Sequence, residues 1–221
     1  MTLQEAVQAR HSVRRFTDGR IDADTAAALS QEIDTCNREG GLAIQLCLDE
    51  PGAFSGRMAS YGKFENVRNY IAVVGPKGSE GEIACGYYGE RVVLRAQQLG
   101  LSTCWVVMSY SHGKAAAVGE GQKRHAVIAL GYGATSGVPH TSKPMDALCE
   151  VQGDMPDWFR RGMEAVLLAP TAMNQQKFRF ALSGNTVRAT SARGLYTGLD
   201  LGIGKLHFEV GAGSEGWGWG E

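Results

Sequence analysis

Apolar residues recur along this chain with two periodicities, one typical of helices and the other typical of strands. Helical spacing predicts amphipathic helices over residues 22–40, 86–100, 157–168 and 195–210. The capping-box spacing of Thr2 and Glu5 predicts a further short helix that ends near Ala9. Alternating or continuous apolar runs predict strands over residues 44–48, 70–75, 103–108, 126–131, 178–182 and 187–190. The expected fold is therefore α+β, with helices flanking a mixed central sheet.

The polar intervals between these elements include three notable segments. Residues 51–69 are Gly-rich and polar with scattered aromatic residues, which predicts a long loop or a broken helix. Residues 138–144 form a loop with a cationic tip, which we call the 138–144 loop. The Gly- and Trp-rich residues 213–221 have no periodic pattern, and we expect this tail to be loose or peripheral.

Length and charge narrow the class of protein. A chain of 221 residues fits one large domain or two small ones. The formal net charge of −1 gives no basic footprint for nucleic acid or an anionic membrane. Since no apolar run reaches the roughly 18 residues of a membrane span, and the first residues lack the apolar core of a signal peptide, we expect a cytoplasmic protein.

Cysteine and histidine spacing indicates no metal site. The cysteines are odd in number, form no CxxC and are expected to be small buried residues: Cys36, Cys47, Cys85, Cys104 and Cys149. The histidines also lack metal-ligand spacing: His11, His112, His125, His140 and His207. We expect a packing role for His207 in the last helix. The chain lacks GxSxG, a P-loop and a GxGxxG after a strand, which disfavours hydrolase, NTPase and Rossmann functions.

Arg10, Ser12 and Arg14 are spaced two apart in the RHSVR segment (residues 10–14). Alternate residues of an extended segment face one side, so all three could face one group. Two guanidiniums and a hydroxyl suit a phosphate, because the Arg fork matches phosphate oxygens. The alternative is a solvated basic turn. His140 and Lys143 could add charge to such an anion site or could simply be solvated.

Residues 169–180, APTAMNQQKFRF, form a Pro-marked turn that we call the Asn174 turn. Thr171 and the amides of Asn174, Gln175 and Gln176 supply neutral donors and acceptors, which suit a planar heteroaromatic ligand. An ordinary helix-to-strand loop is the alternative. The strand end at residues 103–107 could offer backbone N–H groups to a ring edge, or it could be a plain core strand with Trp105 in the core.

Three segments together resemble the nitroreductase family of FMN-dependent oxidoreductases. They are RHSVRRF at 10–16, GERVVLRAQQLGLSTCWV at 89–106 and APTAMNQQKFRF at 169–180. The last is similar to the family's S/A-P-S-x-x-N-x-Q-P-W-x-F turn, with Lys177 and Phe178 in place of the usual Pro-Trp. The late position of this turn and the DLGIxKxHFE-type ending resemble a divergent subfamily, the TM nitroreductase type.

The resemblance implies an FMN site with a phosphate side and a ring side. Arg10 and Ser12 would hold the phosphate and the ribityl chain, and Arg14 would lie near the N1/O2 edge, where a cation stabilises the anionic hydroquinone. The backbone of residues 105–107 would face N5 and O4, although Val107 and Met108 replace the family's frequent Glu-Gly or Gly-Gly. The predicted cofactor-binding residues are Arg10, His11, Ser12, Arg14, Lys63, Trp105, Val106, Val107, His140, Lys143, Pro170, Thr171, Ala172, Asn174 and Gln176.

The position of the Asn174 turn predicts how the site is divided along the chain. Ordinary family members carry it in the first third, where this chain has residues 36–41 without the motif. We interpret residues 1–150 as a half that carries the phosphate half-site and residues 151–221 as a second half that carries the flavin-ring turn. Ordinary members build each site from both subunits of a homodimer. This chain could form one complete site alone, as an intrachain pseudo-dimer of two unequal halves, and a homodimer is also possible.

The resemblance implies an FMN-dependent oxidoreductase that takes hydride from NADH or NADPH. The reduced flavin would pass electrons to a nitroaromatic, a quinone or a similar small-molecule acceptor, and no protein acid or base is strictly needed. The changes at Lys177, Phe178, Val107 and Met108 motivate an alternative, a flavin or small-molecule binding protein with little or no redox turnover. A third hypothesis, an interaction module without a cofactor, rests only on the Gly- and Trp-rich tail.

Overall fold

The computed structural model describes residues 1–55, 57, 61–111 and 115–220. The helices in these ranges are α1 (Leu3–Ala9), α2 (Ala23–Gly40), α3 (Ser79–Gln98), α4 (Asp157–Val166) and α5 (Thr197–Ala212). The strands are β1 (Gln45–Cys47), β2 (Asn69–Pro76), β3 (Ser102–Val106), β4 (Gln122–Gly131), β5 (Cys149–Val151), β6 (Phe178–Ser183), β7 (Thr186–Ser191) and β8 (Gly218–Trp219). The predicted α+β class is confirmed.

Short polar signals set several helix ends. The Thr2 hydroxyl accepts from the Glu5 N–H while the Glu5 carboxylate accepts from the Thr2 N–H, so the predicted capping box is confirmed. The Asp22 carboxylate caps α2 by accepting from a backbone N–H of its first turn. Helix α3 begins at Ser79 rather than at residue 86. Its first turn is acidic, which stabilises a helix start through the helix dipole but adds nothing to an apolar pattern.

The described strands are divided between two sheets, where the sequence predicted one mixed sheet. The first sheet is antiparallel, with the order β1-β2-β4-β3. The second has the order β5-β6-β7-β8 and is mixed, because β5 pairs with β6 and β7 with β8 in parallel. Helices α2 and α3 cover one face of the first sheet, while α4 and α5 pack on the second. Each sheet therefore has its own apolar core.

Helices α3 and α5 join the two halves by direct backbone contact. A Cβ atom on Gly86 would lie 2.1 Å from the carbonyl oxygen of Leu199, and one on Gly202 would lie 2.0 Å from that of Ile83. No side chain fits at such distances, so glycine is required on both helices. The close packing predicted for the glycine-rich last helix is confirmed.

The prediction of a loose C-terminal tail is wrong. Strand β8 pairs with β7, and the Trp217 ring stacks on Trp158 with ring centroids 5.8 Å apart. Nε1 of Trp219 donates to the Glu209 carboxylate at 2.8 Å. The tail is ordered because its large aromatic rings bury much apolar area. The sequence did not indicate this order, because the segment is too short to show a periodic pattern. Glu221 lies outside the described residues.

Other sequence expectations concern metals, membranes and cysteines. All five cysteines are free and buried, as expected. Within the described ranges, no cluster of His, Cys, Asp and Glu is arranged to hold a metal ion, and His112 lies outside those ranges. None of the described helices is long and apolar enough to cross a membrane.

Candidate functional site

The RHSVR segment runs along β3. Ser12 forms a parallel bridge with Thr103, and the Val13 N–H donates to the Thr103 carbonyl at 2.9 Å. Burial raises the pKa of the Cys104 thiol on β3, against the opposing influences of Arg14, the Ser12 hydroxyl and Arg10 in that order. All three residues of the predicted phosphate motif therefore influence one buried thiol, Ser12 through a hydrogen bond and the two arginines through their charge. Their convergence follows from the extended path of the segment beside β3.

Arg10 is buried and connects this segment to the second half of the chain. Its Nε lies 3.6 Å from the Glu90 carboxylate, and its Nη2 donates to the Leu168 carbonyl at 3.4 Å. Nε is buried and has no hydrogen-bond acceptor within the described part of the chain. Leu168 immediately precedes the Asn174 turn, so Arg10 lies between the two predicted half-sites.

Glu90 is a fully buried carboxylate at which three elements meet. On α3, its Oε2 accepts from Nε1 of Trp105, on β3, at 2.7 Å. Its Oε1 lies 2.9 Å from Nε2 of His207, on α5. The other ring nitrogen of His207 contacts the Ala165 carbonyl at 3.0 Å, which confirms the predicted packing role. Glu90 was not singled out from the sequence, because it is one of three acidic residues of this helix and is followed directly by Arg91.

The 138–144 loop begins beside the RHSVR segment. His140 is half-buried, and its Nε2 is buried without a partner among the residues that the structure describes. Burial lowers the pKa of His140, and the neighbouring Arg10, His207 and His11 lower it further. Gly137 precedes the loop, and a Cβ there would lie 2.6 Å from the His11 Cβ. His140 thus lies beside the predicted phosphate residues.

The other end of the 138–144 loop contacts the Asn174 turn. Nδ2 of Asn174 and Nε2 of Gln176 both donate to the Thr141 carbonyl, at 2.8 and 3.0 Å. The Lys143 ammonium donates to two carbonyls of the turn, at 2.8 and 3.0 Å. One loop therefore brings the turn and the RHSVR segment together within a single chain.

The backbone of the Asn174 turn is strained. Met173, Asn174 and Gln176 have φ values of 53°, 52° and 43°. The left-handed region costs an ordinary L-residue roughly 1–2 kcal/mol. Internal hydrogen bonds hold this conformation: Asn174 Oδ1 accepts from Gln176 Nε2 at 2.8 Å, and the Thr171 hydroxyl accepts from the Gln176 N–H at 3.2 Å. Pro170 is buried at the start of the turn. Strain of this kind clusters at functional sites, which favours a binding turn over an ordinary loop.

Asp200 anchors the Asn174 turn from α5. Its carboxylate is 3% exposed and accepts from the Ala172 N–H at 2.9 Å and from Gln175 Nε2 at 2.7 Å. Burial raises the pKa of Asp200 to about 6, the two hydrogen bonds oppose that rise, and the Glu82 carboxylate adds to it. Sequence reasoning missed this residue, although a carboxylate within a glycine-rich apolar helix is the signal that could have found it.

Trp105 and Val106 end β3, which is one of the two outer strands of the first sheet, and Val107 follows directly. Val106 is buried, and the Trp105 and Val107 side chains are half-buried. The Trp105 ring packs against the cores of both sheets. The Trp105 side chain therefore packs in the core. The backbone of residues 105–107 could still contact the edge of a ligand.

Arg14 and Lys63 are exposed. The Arg14 guanidinium carbon lies 6.0 Å from the centroid of the Phe64 ring. Lys63 has a φ of 56°, and no hydrogen bond or ion pair in the described ranges connects it with the Asn174 turn. Arg14 is thus linked to the other site residues through β3, whereas Lys63 is the predicted residue with the weakest geometric support.

Two concave regions of the surface lie elsewhere. One lies between α2 and β1 near Asp34 and Gln45, and the other lies on the second sheet near Glu150 and Arg188. Neither is lined by a predicted site residue.

Solved structures of nitroreductases share the fold. A "putative nitroreductase" from Thermotoga maritima has a TM-score of 0.67 at 21% identity, over 95% of this chain and 83% of that chain. The NfrA1 nitroreductase from B. subtilis has a TM-score of 0.52 at 13% identity, over 66% and 72%. A "putative nitroreductase in complex with FMN" from Desulfovibrio desulfuricans, with a TM-score of 0.49 at 15% identity over 71% and 98%, is too remote to compare sites. The class of fold is that of the nitroreductases.

Sequence similarity identifies the family within that class. The profile of the family described as "Putative TM nitroreductase" matches residues 2–212. The chain belongs to this family. None of the curated proteins matches the chain significantly.

Proposed function

We propose that the protein is an FMN-dependent NAD(P)H oxidoreductase that reduces nitroaromatic, quinone or similar small acceptors. Family membership supports an oxidoreductase. The observation that carries the proposal is the position of the 138–144 loop. Gly137, directly before the loop, lies close to His11, and the Thr141 carbonyl within the loop accepts from the Asn174 amide. This loop supports the proposal because it links residues predicted for the two sides of a flavin.

The phosphate side fits the chemistry of the group that it would bind. The Nε atom of Arg10 and the Nε2 atom of His140 are both buried polar atoms without a hydrogen-bond partner in the described ranges. Guanidinium and imidazole N–H groups donate well to phosphate oxygens. Arg10, His140, His11 and Ser12 would hold the phosphate and the start of the ribityl chain, with Lys63 as a further ribityl contact.

The ring side has the neutral hydrogen-bonding groups that a flavin ring requires. Thr171, Asn174 and Gln176 carry hydroxyl and amide groups on a turn whose backbone is already fixed. Pro170 and Ala172 shape the same turn, and the backbone of residues 105–107 would face the reactive edge. Lys143 braces the turn through its carbonyls. The hydrogen-bonding side chains of Thr171, Asn174 and Gln176 are therefore neutral, and Lys143 is engaged with carbonyls of the turn.

When bound, the flavin supplies the hydride and electron transfer chemistry. The chain's own residues bind it, orient its edges and set the local charge. Arg14 would stabilise negative charge at the ring edge that it faces, because a fixed cation there needs no reorganisation during the reaction. No residue of the chain is required as an acid or a base.

We further propose that residues 1–150 and 151–221 form an intrachain pseudo-dimer with one FMN site. The glycine contacts between α3 and α5 and the contact between Glu90 and His207 support it, since both link the first half to the second. A monomer would then suffice for one site, and a homodimer is compatible with the same arrangement.

Absorbance spectroscopy tests the function. Purified protein should bind FMN, show a flavin spectrum and bleach when NADH or NADPH is added without oxygen. A nitroaromatic or a quinone should then restore the colour. A protein that remains colourless after addition and removal of excess FMN would contradict the proposal.

The second candidate is a flavin-binding protein with little redox turnover. It is favoured by the replacement of the family's usual Pro-Trp by Lys177 and Phe178, because Phe178 is buried in the second core and Lys177 is exposed. A protein that binds FMN but does not bleach with either nicotinamide cofactor would support this candidate over the first.

A further inference from the structure

The contacts of His207 require a shared proton. Its Nδ1 faces the Ala165 carbonyl oxygen, which can only accept, so Nδ1 carries a hydrogen. Its Nε2 lies 2.9 Å from the Oε1 atom of Glu90. A bare imidazole nitrogen and an ionised carboxylate are both acceptors. A hydrogen bond between them therefore needs one proton, carried either by His207 or by Glu90.

The location of that proton does not alter the net charge of the buried unit formed by Arg10, Glu90 and His207. With the proton on Nε2, two side chains are positive and the carboxylate is negative. With the proton on Glu90, only Arg10 is charged. Trp105 donates a neutral N–H to the other carboxylate oxygen and adds no charge. Both arrangements leave a single net positive charge, whereas an isolated Arg–Glu pair would be neutral.

We propose that Glu90 and His207 share one proton, so that Arg10 remains a net cation towards the phosphate of FMN although a carboxylate lies beside it. This inference rests on the proposed function. Glu90 and His207 would be positioning residues, because they act on the ligand through Arg10. The unit stores an unneutralised charge in the protein interior, which is costly unless an anion binds beside it.

The surroundings of the unit agree with a positive field. The polar groups that face it are Trp105 from β3, the Ala165 carbonyl of α4 and the Leu168 carbonyl after α4. The titratable groups beside it are His140 and His11. The pKa of His140 is lowered first by burial, then by Arg10 and His207. A bound phosphate would offset the charge and would also give His140 Nε2 a partner.

Spectroscopy detects the proton directly. Nitrogen-15 NMR of the imidazoles and infrared spectroscopy of the carboxyl groups, with His207→Gln and Glu90→Gln used for assignment, should show one of two states. Either His207 is doubly protonated, or Glu90 is a neutral acid that donates to Nε2. A neutral His207 with its proton on Nδ1 beside an ionised Glu90 would overturn the proposal, and this result does not depend on flavin binding.

FMN differs from riboflavin only by its phosphate. The ratio of the two affinities therefore measures how strongly the charge of the protein stabilises the bound phosphate. Glu90→Gln keeps the net charge, because the amide donates to Nε2 and is neutral, so the ratio should stay close to that of the wild type. In His207→Gln, the glutamine amide donates to an ionised Glu90. The negative charge of Glu90 then cancels the positive charge of Arg10, and the unit is neutral. The ratio should fall about tenfold or more, as expected for a weakened contact with a charged group. The double variant restores the net charge and should recover the ratio.

Lys205→Gln is the matched control, because it removes a positive charge from the same helix at a place away from the unit. The Lys205 ammonium lies over the Trp219 ring. Its ratio should equal that of the wild type. Thermal unfolding shows whether each variant folds. Equal losses in Glu90→Gln and His207→Gln, or no loss in folded His207→Gln, would overturn the inference alone. A wild-type protein that binds neither flavin would instead contradict the proposed function, and with it the phosphate that the inference invokes.

Discussion

The two proposed half-sites each contain a buried carboxylate, and the surroundings of the two carboxylates differ. Glu90 contacts the side chains of Arg10 and His207, which can carry positive charge. Asp200 accepts only from neutral groups of the Asn174 turn, and the charge that acts on it is the like charge of Glu82. Glu90 thus faces groups that can be cationic, while the hydrogen bonds to Asp200 come from neutral groups and only partly oppose the rise in its pKa.

This difference matches what the two ends of an FMN molecule would require. A phosphate needs positive charge, which the cluster around Glu90 provides. A flavin ring needs neutral donors and acceptors at fixed positions, which the Asn174 turn provides through a strained backbone that Asp200 secures. The comparison predicts that variants of the two carboxylates will have different effects on stability and binding.

Glu90→Ala should have the largest effect. It leaves Arg10 buried without its ion-pair partner and His207 without a hydrogen-bond partner, and breaking a buried charge pair costs about 3–5 kcal/mol. Chemical denaturation should show this loss in the free energy of unfolding. Glu90→Gln is the control, because it keeps the shape and one acceptor oxygen, and it should lose much less. A loss below about 1 kcal/mol in Glu90→Ala, the level of an exposed pair, would mean that the cluster does not join the halves.

Asp200→Asn should change the pH dependence of stability. The pKa of Asp200 is raised in the folded state from 3.8 to about 6. The folded protein therefore keeps a proton that the unfolded chain has lost, and the contribution of this group to stability falls as pH rises from about 4 through about 6. The variant should lack this fall, which amounts to at most roughly 3 kcal/mol. Denaturation of both proteins across this pH range measures it.

The same variant separates stability from binding. Asn keeps one acceptor for the turn but presents an amide donor to Gln175, so the turn should hold FMN less tightly while the protein is at least as stable near neutral pH. Parallel pH profiles for the two proteins, or unchanged FMN affinity, would show that Asp200 does not secure the turn.

Asn174→Ala should weaken FMN binding by about 1–3 kcal/mol, the cost of an unsatisfied polar partner. In Asn174→Gly, the glycine adopts the positive φ without strain. This variant therefore removes the amide while the conformation of the turn is kept. Asn185→Ala, in the exposed β6–β7 hairpin, is the control. Reduced stability with full retention of flavin would support an ordinary loop.

Arg14→Ala should have the smallest effect, because the side chain is exposed. We expect FMN affinity to fall by less than about 1 kcal/mol and the flavin to become harder to reduce. Arg15→Ala is matched to it, since Arg15 is the adjacent exposed arginine and pairs with Glu65 at 2.9 Å. A redox titration with unchanged potential and unchanged occupancy in Arg14→Ala would remove Arg14 from the site.

Local patterns in the sequence predicted most of the elements and both half-site motifs. These predictions rest on residues that are near one another in sequence. Examples are the cap at Thr2, the apolar runs of β2 and β4 and the glycines of α5. The RHSVR segment and the Asn174 turn were recognisable for the same reason. The division of the strands into two sheets depends on pairing between distant segments, which the periodicity of one segment does not contain.

The residues that join the two half-sites could not be predicted in this way. Glu90 and His207 are 117 positions apart, and Arg10 and Leu168 are 158 apart. Each residue taken alone resembles a surface charge or a packing residue. The prediction of a loose tail was wrong for a related reason. Trp217 and Trp219 pack against aromatic rings of α4 and α5, which are distant in sequence.

One chain is proposed to supply both half-sites of a single FMN site. Sedimentation velocity of the protein with FMN, detected at a wavelength that only the flavin absorbs, tests this proposal most directly. After dilution to concentrations at which monomers are present, the monomers should carry bound flavin, with one FMN for each chain. Monomers that sediment without flavin beside a dimer that carries it would contradict the proposal.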